Sequence, residues 1–212
     1  GSPFQVRAFT KPCWRPAGSI ACAEGEGVLH LPSGVCVQGD CLFVYDPRRG
    51  CIQVFNELGG ESPGAFLRSL GSVLPADGSA QGLAGLVLSR SNVFVADSTR
   101  NCISVFCRED GRPLQVLGSA GSKEGELRCP MGLAVYGECL YVADSSNHRV
   151  QVFAAQADGT FAPSQILGLE GSGAGQLCSP CAVAVDGDRV FVADAGNRRV
   201  QVFRRSDGSH LF

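Results

Sequence analysis

The sequence predicts an all-β fold, a β-propeller of four-stranded antiparallel blades, and three observations predict it. Four segments superpose without gaps; each carries an aspartate followed nine residues later by a phenylalanine; each breaks into short apolar runs separated by turns rich in glycine and aspartate. The segments begin at Leu31, Gly82, Cys129 and Ser179, and the aspartate–phenylalanine pairs are Asp46/Phe55, Asp97/Phe106, Asp144/Phe153 and Asp194/Phe203. A proline stands fourteen residues before the aspartate at Pro32, Pro130 and Pro180, with Leu83 replacing it in the second copy. Successive phenylalanines lie 51, 47 and 50 residues apart. The repeats are placed at approximately 31–70, 82–117, 129–167 and 179–212, within a single domain over residues 1–212.

Within a unit, a short apolar first strand (residues 132–135 in the third copy) is followed by a tight turn and a second strand, 140–143, that ends at Asp144. β-branched and aromatic residues dominate, and the second strand is apolar on both faces, as a sheet packed between two others requires. The third strand is 150–153; Asp-Gly turns at Asp110-Gly111, Asp158-Gly159 and Asp207-Gly208 precede a fourth, outer strand such as 114–117. A glycine-rich loop then leads to the next unit. One blade cannot cover both its faces, so neighbouring copies must do so. Residues 4–9 read as an outer strand, and 209–212 as the place where another begins. Two architectures stay open: a ring of four blades closed by the 4–9 strand completing the last blade, or part of a longer propeller. Strand exchange or oligomerisation between chains belongs with the second.

The chain has 212 residues, 44% hydrophobic and 18% charged, enough apolar content for a sizeable core and too much for general disorder. No apolar run approaches the roughly 18 residues of a membrane helix, and the start lacks the regions of a signal peptide, so the expectation is an intracellular, cytoplasmic protein with no membrane association. Net charge is −2. Eleven cysteines, an odd number, read as small buried apolar fillers carrying free thiols, with a disulfide-stapled secreted domain as the alternative. Cys178 and Cys181 form a Cys-x-x-Cys pair, but no second pair of metal-ligand spacing accompanies it.

Little here suggests catalysis, and the expectation is a non-enzyme without metal or cofactor. His30, His148 and His210 fall at different repeat positions; no nucleophile elbow or phosphate-binding glycine motif is present. The repeated aspartates each end a strand, where they can accept hydrogen bonds from their own turn. The pattern that stands out is basic. The turns between second and third strands hold Arg48 and Arg49, Arg100, His148 with Arg149, and Arg198 with Arg199, six of the 18 Lys and Arg. Propeller geometry puts these turns on one face with the linking loops, making a cationic rim suited to phosphate or carboxylate. Against this, Arg149 and Arg199 can pair with their own aspartates, and the linking loops bring Glu24, Glu26, Asp77, Glu124, Glu126 and Glu170 to the same face. Two functions follow: a protein-interaction module using one propeller face, with the long loop 56–81 as a specificity element, or single-stranded RNA binding by the arginine face.

The run Asp144-Ser145-Ser146-Asn147-His148-Arg149-Val150-Gln151-Val152-Phe153 resembles the NHL-repeat consensus almost letter for letter, with Leu133, Asn147 and His148 matching the residues that name the family. The fourth copy keeps it as Asp194-Ala195-Gly196-Asn197-Arg198-Arg199-Val200-Gln201-Val202-Phe203, whereas the first two drift to Arg49-Gly50-Cys51 and Arg100-Asn101-Cys102. The resemblance implies a propeller, most often six-bladed, used mainly as a binding platform for RNA, for proteins, for substrates of ubiquitin ligases, or in extracellular kinase sensing. A few related propellers are enzymes, notably the lyase that completes peptide amidation; the three histidines here do not supply a ligand set like that of its metal site.

Overall fold

The computed structural model describes residues 6–10, 15–20, 27–56, 64–71 and 85–212, the first two stretches as backbone only. Strands β1 (Val6–Thr10) and β2 (Arg15–Ile20) form a two-stranded sheet. The first blade is β3 (Gly34–Gln38), β4 (Cys41–Asp46), β5 (Cys51–Asn56) and β6 (Phe66–Leu70); the second is β7 (Leu86–Leu88), β8 (Asn92–Asp97), β9 (Cys102–Cys107) and β10 (Pro113–Leu117). The third is β11 (Pro130–Tyr136), β12 (Cys139–Asp144), β13 (Arg149–Ala155) and β14 (Phe161–Leu167). The pair β15 (Leu169–Glu170) and β16 (Gln176–Leu177) lies in the next linking loop, and β17 (Pro180–Asp186), β18 (Arg189–Asp194) and β19 (Arg199–Arg204) build the fourth blade. All blades are antiparallel meanders. No helix among the described residues is long and apolar enough to cross a membrane.

The ends depart from expectation. β1 pairs with β2, and the register of the two, including the bulge, repeats that of β9 with β10. The N-terminal strand therefore occupies a third-strand position and β2 the fourth, in place of a strand added to the last blade; residues 4 and 5 lie outside the described residues. The fourth blade is bordered instead by its own chain: Arg204 N–H donates to Ser209 O, Leu211 N–H to Val202 O, and Val202 N–H to Phe212 O. The long 56–81 loop also proves to contain a strand, β6, which completes the first blade; its residues 57–63 and 72–81 lie outside the described residues, as do Glu24, Glu26 and Asp77.

The cores sit between blades. Phe43, Tyr45, Ile52, Val54 and Leu70 of the first blade pack on Leu86, Leu88, Val93, Val95 and Phe106 of the second. Phe94, Ala96, Ile103, Val105 and Leu117 pack on Leu140, Val142 and Phe153 of the third, whose Tyr141, Val150, Val152 and Leu167 meet Val183, Val190, Val192 and Phe203 of the fourth. Central strands buried on both sides explain why the second strand of each unit is apolar throughout. The linking loops pin themselves down through Leu127 and Leu177, both fully buried, beside a short parallel pairing.

Two glycines let the inner strands converge. A Cβ on Gly132 would lie 2.5 Å from the Cα of Ala182, and one on Gly85 2.3 Å from the carbonyl oxygen of Met131. These are equivalent positions on successive blades, required for close approach of backbone to backbone.

Beyond the fourth blade the stacking face is open. Val200 is 62% exposed, whereas its counterpart Val150 is fully buried. The nine described cysteines are free thiols. Only Cys102 is buried, the others being half-buried, so the expectation of buried fillers holds for that one alone. Burial pushes the thiols of Cys36, Cys51, Cys102 and Cys139 up from their ordinary value. That suppresses the reactive thiolate.

Candidate functional site

The turns between second and third strands carry the residues singled out from sequence, and the third blade shows how they are used. Asp144 is fully buried at the end of β12. Its Oδ1 accepts the backbone N–H of Arg128 at 2.7 Å; its Oδ2 accepts Asn147 Nδ2 and Arg149 Nε, each at 2.8 Å. The rest of the Arg149 guanidinium donates to the carbonyl oxygens of Ser122, Lys123 and Glu126, each at 2.8 Å. Gln151 accepts the Gly125 N–H, and Asn147 donates to Gly121 O. One aspartate thus anchors a turn, and through Arg149 the turn clamps the glycine-rich loop that follows the preceding blade. The fourth blade repeats the arrangement with Asp194, Asn197, Arg199 and the carbonyls of Ser172, Gly173 and Gln176.

Burial pushes the Asp194 carboxyl up, but hydrogen bonds from the Cys178 N–H and from Asn197 and Arg199 outweigh it, and the net shift is below the ordinary value.

The fourth turn residue ties blades together. His148 adopts the left-handed conformation (φ 54°) and its Nδ1 accepts the backbone N–H of Ser179, at the start of the next blade, at 3.0 Å. Asn101 does the same one blade earlier, accepting the Cys129 N–H at 2.8 Å. His148 is therefore an inter-blade strap as well as a turn residue, with its Nε2 3.8 Å from Glu170.

The first two blades have lost parts of the clamp. Cys51 and Cys102 stand where Arg149 stands, so Asp46 relies on the backbone N–H groups of His30, Leu31 and Arg48, and Asp97 on those of Thr99 and Arg100. Asp97 Oδ2 is left buried without a hydrogen-bond partner. Arg49 Nε donates to His30 Nδ1 at 3.3 Å.

The predicted rim of six guanidinium groups is thereby reduced. Arg149 is buried, and Arg199 reaches to the linking loop with all three guanidinium nitrogens hydrogen-bonded to the Asp194 carboxylate or to loop carbonyls. Arg48, Arg100 and Arg198 remain exposed, with no acidic side chain at ion-pair distance among the described residues. They occupy different turn positions, so they form an irregular scatter of charge. The acids anticipated nearby include Glu126, whose side chain is taken up by the Lys123 N–H, and Glu170 beside His148. Among the described residues no group of three or more His, Cys, Asp or Glu is placed to hold a metal ion.

The NHL-repeat family model matches residues 127–153 and 177–203, the two blades whose clamps are complete. No curated relative matches the sequence. Among solved structures, the nidogen/laminin complex aligns with a TM-score of 0.68 at 17% identity, over 98% of this chain and 70% of that one. A streptogramin B lyase structure and virginiamycin B lyase from Staphylococcus aureus each align with a TM-score of 0.59 at 14% identity, over 83% of this chain. The chain spans 52% and 53% of the length of those two lyases. At these identities the likeness concerns the fold. Together, the repeat matches and the blade geometry show a β-propeller fold in which the third and fourth blades carry NHL repeats.

Proposed function

We propose that the chain is a non-catalytic binding module that docks a protein partner on the face formed by the second-to-third-strand turns and the linking loops. The observation that carries this reading is the consumption of the repeat's polar residues inside the framework. Asp144, Asn147, Arg149 and Gln151 are spent on holding the loops, and their fourth-blade counterparts likewise. What remains at the surface of that face differs from blade to blade: Arg48, Arg100 and Arg198, with Leu31 and Leu169 exposed by 38% and 62%. Arginine beside exposed aliphatic surface, on a rigid support, suits protein recognition. The test is affinity capture with the intact chain and with two face variants, Leu169→Asp and Arg100→Glu with Arg198→Glu. A partner recovered by the wild type and lost from both variants supports the reading; recovery of the same proteins by all three refutes it.

Single-stranded RNA is the second reading, favoured by the three exposed arginines that have no acidic partner among the described residues. Three phosphate contacts give a slope of about −2 in log affinity against log salt. Salt-independent binding, or binding unchanged by reversal of Arg48, Arg100 and Arg198 to Glu, rules it out.

A further inference from the structure

At the opposite end of the strands a different basic cluster forms across the first and second blades. Arg90 lies in the turn from β7 to β8, Arg108 in the turn from β9 to β10, and Arg68 on β6 of the preceding blade. The three line one pocket of about 350 Å³ together with Ser91, Cys107 and Glu109. Arg68 Nη2 donates to Arg108 O at 3.5 Å, and Arg108 Nη1 to Arg90 O at 3.3 Å. The Arg108 guanidinium also sits over the Phe43 ring, 5.8 Å from its centroid. Each of these contacts occupies one donor and leaves most of the guanidinium N–H groups available. None of the three has an acidic partner at ion-pair distance among the described residues; the nearby Asp110 is engaged by Arg112 at 3.4 Å. Guanidinium groups do not shed their protons, so three of them around one pocket, with Glu109 as the one carboxylate in its lining, leave a net positive site that a bound anion would stabilise.

We infer that this pocket is a receptor for a phosphomonoester, carried by a phosphorylated side chain of a peptide. A phosphomonoester carries close to two charges and three acceptor oxygens, matching convergent arginines better than a carboxylate does. The neighbouring cleft fixes the choice of peptide. It shares Arg90 and Ser91 with the arginine pocket, has a volume of about 460 Å³, and has a mixed lining in which Ser89, Asn92 and Glu138 stand beside Phe94, Val135 and Phe161. An uncharged side chain beside the phosphorylated residue would fit it, whereas a nucleic-acid strand would present further phosphates to the Glu138 carboxylate, with no basic residue but Arg90 in that lining. The site is separate from the turn face, so either assignment can fail without the other.

The test is calorimetric titration of the chain with inorganic phosphate and with a short phosphoserine peptide flanked by leucines. Each of Arg68→Gln, Arg90→Gln and Arg108→Gln is expected to weaken both ligands by about tenfold, while Arg189→Gln, at an exposed arginine two blades away, leaves them unchanged. Arg108→Lys, which keeps charge but not the planar fork, is expected to fall in between. Unchanged thermal unfolding shows that the variants fold. Absence of phosphate binding, equal affinity for the unphosphorylated peptide, or indifference to all three substitutions overturns the inference. RNA binding lost in these variants without phosphopeptide binding overturns it too, in favour of a nucleic-acid site.

Discussion

Replacing Arg149 by methionine tests whether the repeat's arginine is framework or ligand site. The substitution keeps an apolar stem and removes four hydrogen bonds, one to Asp144 and three to loop carbonyls. Asp144 then remains fully buried with the Arg128 N–H and Asn147 as its close partners. Breaking a buried ion pair from one side costs about 3–5 kcal/mol, because the surviving charge is left without compensation. For a chain of this size each kcal/mol moves the unfolding midpoint by roughly 2–4 °C, so a fall of about 6–20 °C is expected. Arg199→Met should cost less, since the Arg199 side chain is 31% exposed against 10% for Arg149 and water can replace part of what is lost. Differential scanning calorimetry gives the midpoints, and hydrogen exchange over residues 121–126 reports whether the loop has come loose. A shift below about 2 °C for Arg149→Met, with the loop still protected, would refute the clamp.

Three further outcomes follow from the same geometry. Gly132→Ala puts a methyl against the backbone of Ala182 and should cost about 1–3 kcal/mol, read from chemical denaturation; a neutral result would mean that the inner strands can separate freely. Val150→Ala, at a fully buried position, should cost about 2 kcal/mol, whereas Val200→Ala at 62% exposure should stay within about 0.5 kcal/mol, and equal losses in a denaturation series would contradict an open fourth-blade face. Asp194, held below its ordinary value in the folded state, contributes stability that is present above the unfolded carboxylate value of about 3.9 and is lost as pH falls through the folded value. Asp194→Asn should therefore narrow the difference in unfolding midpoint between neutral and strongly acidic buffer, and an unchanged difference would remove this carboxylate from the acid response.

The blades were legible because every copy carries the same constraint. A buried aspartate at a strand end and a buried phenylalanine recur at fixed spacing, and that regularity survives the drift of the first two copies. The pairing of Arg149 and Arg199 with aspartate was legible for the same reason. The clamp on the linking loop was not, although Leu29, Leu127 and Leu177 recur at equivalent positions and mark where each loop is pinned. β2 escaped notice because Arg15-Pro16-Ala17-Gly18-Ser19-Ile20 lacks the β-branched and aromatic run of the other strands. The cluster of Arg68, Arg90 and Arg108 has no signature in the repeat at all. Its members come from a strand and two different turns, so only the stacking of one blade on the next brings them together.

The glycines at the inner strands carry a geometric message. A blade stacked closely at its inner edge and more widely at its outer edge behaves as a wedge, and the angle of that wedge sets the radius on which successive blades are laid. Gly85 and Gly132 hold the inner spacing to direct backbone contact, while the equivalent residue of the fourth blade is Ala182. Its methyl, about 1.5 Å beyond the Cα, would hold any neighbour farther out than those glycines allow. At this position of the repeat, the choice between a hydrogen and a methyl group bears on how closely one blade can follow the next, and so on the curvature.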